Sequence, residues 1–259
     1  MASGEVFPNP LVKRVIFAIR FPNLFFLGDR IGDFQVRVMK EFPRSELLLR
    51  RPVLVTQETD KEKLDQMVSD LKEGEAANRV WLFESEGGVK LEITSNSLAI
   101  VSTSHKSYKH GQEQHFRDVI DSVTKHFYDV TRVPLVNRIG LRYIDECPVL
   151  KNSSVGFREH YATVFPLDRF PLEEATAMDY KVVVRRVPHR LRYLESLQGE
   201  GENRKLILDF DAWSENIEPD KTIEVTDQLH DIIWDEFKAT IKEPIWQHMR
   251  TPLEQSHAS

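Results

Sequence analysis

Two short stretches of the sequence repeat each other about half a chain apart. Residues 10–14 read PLVKR and residues 134–138 read PLVNR, so four of the five positions are identical at an offset of 138 − 14 = 124. Each stretch opens a segment rich in β-branched and aromatic residues, 15–21 and 139–145, a composition typical of β-strands. A repeated unit of this length predicts two related halves that meet at a seam.

The two halves show the same order of predicted elements: a strand, a helix, three or four strands and a long helix. The long helices are predicted at about 112–130 and 225–241, where apolar residues recur on one helical face. The short strands before them are predicted at 80–83, 89–94, 98–101, 180–187, 191–197 and 206–213. We therefore predict an α+β fold in which residues 1–133 and 134–259 each form an antiparallel sheet packed on a long helix, joined as one globular unit.

This order of elements resembles that of the TATA-binding-protein-like and helix-grip domains, in which an antiparallel sheet curves around a long helix. The resemblance concerns topology and rests on no shared motif, so it implies a fold and no function. A tandem copy also predicts that Val15 and Ile139 occupy equivalent places in the two halves.

Composition and charge narrow the classes of partner. The chain has 259 residues and a formal net charge of −6 with a pI of about 5.9, whereas proteins that cover duplex DNA usually carry a basic excess. We therefore expect no duplex DNA partner. We also expect no membrane, because no run of 18 apolar residues and no basic-then-apolar leader occurs. The single cysteine, Cys147, fits a reducing cytosol, so a cytoplasmic protein is predicted.

Four arginines are the candidate ligand-binding residues. Arg138 and Arg142 share one face of a predicted strand, because strand side chains alternate. Arg190 and Arg192 share one face of another strand, and the first predicted strand repeats the pattern within residues 14–20. Guanidinium groups along a groove suit phosphate or carboxylate groups, which they bind through paired N–H donors. The alternative interpretation is that these arginines pair with carboxylates of the sheet or the helices, or lie on a solvated hairpin.

No coherent set of acid, base, nucleophile or metal ligands is recognisable, so no catalytic residue, metal or cofactor is predicted. One alternative is a metal-dependent phosphohydrolase. Asp209 and Asp211 share one strand face and could hold Mg²⁺ or Mn²⁺, with Glu92 as a third oxygen ligand. The simpler interpretation is that Asp209 and Asp211 lie on the solvent-facing side of a half-buried strand.

Histidines provide two further candidates. His105, His110 and His115 recur every five residues, whereas metal-binding pairs on a helix favour a spacing of four. His230 and Trp234 lie one helical turn apart, a spacing that predicts side chains on the same helix face. Such a pair is typical of packing with one polar group.

Three blocks of the chain resemble a group of sporadically distributed, functionally uncharacterised bacterial proteins of similar length. The blocks are NPLV at 9–12 followed by a strand that ends at 20–21, NRIGLRYID at 137–145, and the C-terminal residues 229–249. The central NRIGLRYI block is the distinctive one. The resemblance implies no catalytic residues. The patchy distribution of the group implies a setting in mobile-element or antiviral-defence gene neighbourhoods.

We therefore predict a non-catalytic binding or adaptor protein, an accessory of a bacterial defence or mobile-element system. Its partner is expected to be a protein or an anionic ligand at the seam between the halves, contacted by Arg138, Arg142, Arg190 and Arg192. Two alternatives stay open. One is an RNA or nucleotide binder that uses the arginine-rich strand face. The other is the metal-dependent phosphohydrolase.

Overall fold

The strands and helices of the protein are seen in a computed structural model, which describes residues 6–50, 78–105, 107–109 and 115–252. Within these residues, nine strands and five α-helices form an α+β fold, as predicted. The strands are β1 (Val12–Arg20), β2 (Arg44–Arg50), β3 (Asn78–Glu84), β4 (Lys90–Thr94), β5 (Ser97–Ser102), β6 (Val136–Pro148), β7 (Met178–Arg186), β8 (His189–Gln198) and β9 (Lys205–Ile217). The helices are α1 (Leu27–Val38), α2 (Phe116–Thr131), α3 (Ser154–His160), α4 (Thr222–Thr240) and α5 (Glu243–Arg250).

The nine described strands belong to one antiparallel sheet, in the order β2-β3-β4-β5-β1-β6-β9-β8-β7. The repeated stretches lead into β1 and β6, which pair with each other in the middle of the sheet. In this pair Phe17 lies opposite Leu141. Arg20 lies opposite Arg138 at the end of β1. The strands that open the two predicted halves are therefore neighbours.

Alternate residues of the strands lie on opposite faces of the sheet, and only one of these faces belongs to the main hydrophobic core. In β1, Val15, Phe17 and Ile19 are buried in that core together with the apolar residues of α2 and α4. The residues between them, Ile16 and Ala18, are half-buried and lie outside it. This division follows from the two-residue period of a strand. We call the face that carries Ile16 and Ala18 the open face.

The helix predicted near 112–130 is α2, and its apolar face is buried as the helical periodicity requires. Ile120, Val123 and Phe127 are fully buried along this face. Arg132 follows in a left-handed conformation (φ 54°), and its backbone N–H donates to the carbonyl oxygen of Tyr128. This contact is a helix C-cap and ends α2.

The long helix predicted near 225–241 is α4, and the apolar residues that follow it, Ile245 and Met249, belong to a separate helix, α5. α4 ends at Thr240, and Ile241 forms an isolated β-bridge with Tyr161. Pro244 lies in the first turn of α5, where a missing backbone N–H sacrifices no helical hydrogen bond. The proline therefore begins a helix here. None of the described helices is long and apolar enough to cross a membrane.

β6 and β9 extend beyond the predicted strands, to 13 residues each. They pair along this whole length, from Val136 opposite Ile217 to Pro148 opposite Lys205. Cross-strand hydrogen bonds keep the polar ends of both strands extended, although those ends lack a strand-like composition. The long pairing places the charged residues of β6 beside those of β9.

Candidate functional site

Neighbouring strands bring the predicted arginines together on the open face. Arg142 of β6 lies opposite Asp211 of β9, and Arg192 of β8 lies opposite Asp211 from the other side. Arg138 and Asp209 lie an even number of residues from these positions along their strands, so they share this face. We call the following set the arginine face: Arg20, Arg138, Arg142, Arg190, Arg192, Asp209, Asp211 and Trp213.

Asp209 anchors the arginine face. Its carboxylate accepts two hydrogen bonds from Arg142, from Nε to Oδ1 and from Nη2 to Oδ2, each at 2.7 Å. Nη2 of Arg192 donates to the same carboxylate, 3.3 Å from Oδ1 and 3.0 Å from Oδ2. The Asp209 side chain is 4% exposed, and its hydrogen bonds raise the pKa of the Arg142 guanidinium. Both arginines are thus held in defined positions.

The arginines around Asp211 lie at longer distances from its carboxylate than those around Asp209. Nη2 of Arg138 and Nε of Arg192 each lie 3.7 Å from its carboxylate, beyond hydrogen-bond distance. The Arg138 guanidinium stacks over Trp213, 4.7 Å from the ring centroid. Burial lowers the pKa of the Arg138 guanidinium, and the positive charge of Arg20 on the neighbouring strand lowers it further. The negative charge of Asp211 acts in the opposite direction and raises this pKa. Burial also raises the pKa of the Asp211 carboxyl, although the positive charges of the surrounding arginines lower it.

The arginine face carries a positive excess, although the whole chain is acidic. Its five arginines outnumber the acids on or beside it, Asp209, Asp211 and Glu215, by 5 − 3 = 2. Arg20 and Arg190 are exposed, and neither side chain makes an ion pair or hydrogen bond within the described residues. Their guanidinium donors are therefore available to a ligand.

The structure shows carboxylate pairing for three of the four candidate arginines. Arg138, Arg142 and Arg192 lie within 4 Å of the aspartates of β9, as the carboxylate-pairing alternative predicts. Arg190 has no acidic partner in the described part of the chain. The four side chains share one face of the sheet, so the structure brings the predicted set together without neutralising it.

The aspartates of this face give no support to a metal-dependent phosphohydrolase, because both oxygens of Asp209 already accept hydrogen bonds from arginines. Glu92 lies on β4, four strands from β9, a separation of about 19 Å at the usual strand spacing.

The three histidines considered as metal ligands do not form a described cluster. His105 contacts Ser102 through Nδ1 at 2.7 Å, and His110 lies outside the described residues. No group of three or more His, Cys, Asp or Glu side chains could hold a metal ion among the described residues.

A cavity of about 120 Å³ lies on the other side of the sheet, between β1, β6 and α4. Its walls are mostly aromatic and aliphatic, and they include Tyr143, Asp145, His230 and Trp234. His230 and Trp234, which both belong to α4, share one helix face, as their spacing predicts. The His230 ring stacks on Tyr108 with 4.1 Å between the centroids, and burial lowers its pKa to about 4. The imidazole is therefore neutral at pH 7.

Asp145 is the titratable group that distinguishes this cavity. It is 5% exposed, and burial, reinforced by the negative charge of Asp209, raises its pKa to about 7. Cys147, two residues further on the same strand face, is fully buried, and burial raises the pKa of its thiol. That environment is typical of a structural cysteine. Nothing in the sequence marks Asp145 as a site residue, because an acid at the end of an apolar block cannot be distinguished from a solvent-exposed one.

Asp145 is expected to make the protein less stable as the pH rises from 4 to 7. In the unfolded chain Asp145 has the ordinary pKa of 3.8, so it has lost its proton in this pH range. In the folded protein its raised pKa keeps the proton bound. The free energy of unfolding therefore falls with rising pH, and Asp145→Asn removes this contribution. Relative to the wild type, the variant should gain at least about 1 kcal/mol between pH 4 and pH 7 in urea titrations.

His230 contributes a slope of the opposite sign, because its depressed pKa costs stability as the pH falls below 6.5. Both proteins in the comparison contain His230, so its contribution cancels. Parallel pH profiles for the wild type and Asp145→Asn would contradict a buried carboxyl with a raised pKa.

Comparisons with known proteins leave the family of the chain open. No protein-family model, no curated protein and no solved structure matches it. The resemblance to the sporadically distributed bacterial group, with its defence or mobile-element setting, therefore stays a prediction. The case for a function rests on the geometry of the arginine face.

Proposed function

We propose that the protein is a cytoplasmic, non-catalytic binding protein that receives an anionic segment of a partner protein on its arginine face. The observation that carries this proposal is that Asp209 holds Arg142 and Arg192 in place while Arg190, on the same face, is exposed and unpaired within the described residues. Guanidinium groups that are fixed before binding lose less conformational entropy when they contact a carboxylate or phosphate. The face is thus suited to binding.

The arginines held by Asp209 keep donors for a ligand. Arg142 uses Nε and Nη2 to bind Asp209, and its side chain is 37% exposed. A guanidinium carries five N–H donors, so Arg142 retains three that Asp209 does not use. Arg192 donates through Nη2, and its Nε is buried without a hydrogen-bond partner in the described part of the chain.

We also propose that the two halves arose by duplication and that the arginine face lies at their junction. Outward from the central pair, β1-β5-β4-β3 on one side corresponds to β6-β9-β8-β7 on the other. Phe17 lies opposite Leu141, and 141 − 17 = 124 equals the offset of the repeated stretches. Arg20 would then be the contribution of the first half to a face built mainly by the second.

A two-fold relation between β1 and β6 would give Val15 and Ile139 equivalent places. Val15 precedes Phe17 by two residues, Ile139 precedes Leu141 by two, and Phe17 and Leu141 lie opposite each other.

An RNA or nucleotide ligand is the second candidate, and one observation favours it. Trp213 lies among the arginines, and an indole beside guanidinium groups is an arrangement on which single-stranded nucleic acid stacks its bases. In this structure Arg138 covers the ring. That contact favours a ligand that binds the guanidinium groups over one that stacks on the indole.

Arg190→Ala tests the proposed function with little structural risk, because the side chain is exposed and unpaired within the described residues. We expect its affinity for a fluorescein-labelled polyglutamate peptide to fall about tenfold, since a hydrogen bond to a charged group contributes about 1.5–3 kcal/mol. Fluorescence anisotropy at fixed ionic strength measures the change. Arg30→Ala is the matched control, because Arg30 is an exposed arginine on α1 that contacts Asp33.

A uridine oligonucleotide in the same assay separates the two candidates. A nucleic-acid binder should prefer the oligonucleotide and lose affinity steeply with salt, whereas the proposed protein-binding role predicts preference for the acidic peptide. Equal effects of the two substitutions on peptide binding, or no binding of the peptide, would contradict the proposed function.

A further inference from the structure

Four polar groups line the cavity between the sheet and α4 without a hydrogen-bond partner in the described part of the chain. The hydroxyl of Tyr143, the indole N–H of Trp234 and Nδ1 of His230 are buried. The Asp145 carboxyl is 5% exposed and accepts no hydrogen bond from a described residue. A buried polar group left unsatisfied costs stability. Of these groups, the Asp145 carboxylate and the Tyr143 hydroxyl can accept hydrogen bonds, so together they indicate a ligand that donates.

The size of the cavity limits the part of this molecule that it encloses to roughly one ring, because an engineered protein cavity of about 150 Å³ is known to hold one benzene molecule. The volume here is about 120 Å³, and the cavity is partly open to solvent, so a substituent on the ring need not be fully enclosed. The walls are suited to a ring, because Phe7, Phe116 and Phe237 line the space together with aliphatic side chains.

The charge of the cavity selects a cation. Among the described residues that line it, Asp145 is the one acid, and there is no lysine or arginine. Two histidines also line it. Burial lowers the pKa of His230, so its imidazole is neutral at pH 7, and His105 contacts the hydroxyl of Ser102 through Nδ1. A buried carboxylate without a counter-charge is costly, and the raised pKa of Asp145 reflects this. A ligand with an amine or amidine group would provide both the missing charge and the missing donors.

We propose that this cavity is a binding site for a small, planar, nitrogen-containing cation, with Asp145 as its anchor. The ring of the ligand lies among the phenylalanines, and its cationic group donates to the Asp145 carboxylate. The hydroxyl of Tyr143 accepts a further hydrogen bond. The site lies on the opposite face of the sheet from the arginine face, so it is independent of the proposed function.

Benzamidine is the probe for this site, because its amidinium offers two parallel N–H donors to a carboxylate. Benzamide is the neutral compound of the same shape, and benzoate is the anion. We expect benzamidine to bind at least about tenfold more tightly than benzamide, and benzoate not to bind. Isothermal titration calorimetry gives the affinities.

Asp145→Asn should weaken benzamidine binding at least about tenfold while leaving the protein folded, since it removes a buried ionisable group. Tyr143→Phe keeps the ring and removes only the hydroxyl, and it should weaken binding a few-fold. Arg190→Ala should leave benzamidine binding unchanged, which separates this site from the arginine face. The proposal is overturned if benzamidine does not bind, if benzamide binds equally well, or if Asp145→Asn binds benzamidine as the wild type does.

Discussion

Replacing Asp209 with alanine is expected to lower the free energy of unfolding by about 3 kcal/mol. The carboxylate is 4% exposed and accepts hydrogen bonds from both Arg142 and Arg192. Without it, two guanidinium groups on neighbouring strands converge on a position that has no negative charge. Removing one partner of such a buried group is far more costly than losing an exposed ion pair. Urea unfolding at pH 7, followed by circular dichroism, measures the loss.

Asp211→Ala is the matched control for this prediction. Asp211 lies two residues away on the same face of β9, but it is 22% exposed and its closest arginine contacts are 3.7 Å. We expect a loss below about 1 kcal/mol, as for a partly screened ion pair. Equal losses for the two variants would show that Asp209 does not anchor the arginine face.

Arg204→Ala should cause a loss of similar size, about 3 kcal/mol. Arg204 is 6% exposed and donates to the carbonyl oxygens of Leu172 and Ala175, each at 2.6 Å. It also donates to Oδ1 of Asn152 at 2.8 Å. The substitution leaves these acceptors without their donor and releases the segment that precedes β7. Hydrogen–deuterium exchange should therefore accelerate in residues 171–177.

Arg158→Ala provides the comparison for Arg204. Arg158 contacts Asp168 at 2.7 Å, but both side chains are exposed, so we expect little or no loss of stability. Exchange in residues 171–177 should stay at the wild-type rate. If Arg204→Ala unfolds at the same urea concentration as Arg158→Ala, the guanidinium of Arg204 does not hold this segment in place.

Local sequence patterns were sufficient to predict the class of the fold and which residues share one face of a strand or helix. Strand alternation predicts that Arg138 and Arg142 share a face, and helical spacing predicts the same for His230 and Trp234. The structure has both pairs as predicted. The reason is that side-chain direction depends on the local backbone, whose periodicity is visible in the sequence.

The ends of the elements were less predictable, because long-range contacts decide them. β6 continues to Pro148 since β9 offers a partner along its whole length. A proline after an apolar helical pattern predicts the end or a kink of that helix, yet Pro244 lies in the first turn of α5. The bridge between Ile241 and Tyr161, which separates α4 from α5, joins residues distant in the sequence.

The tertiary structure alone decided which faces meet and what each charged group contacts. The sequence around Asp209 does not indicate that Arg142, 67 residues away, and Arg192, 17 residues away, share its carboxylate. Nor does it indicate that Asp145 is buried in a cavity beside α4. Strand order and register set these contacts, and both depend on the packing of the whole core. The sequence by itself determined the α+β class and which arginines share a face. The partners of those arginines, and the cavity on the other side of the sheet, exist only once the strands have paired.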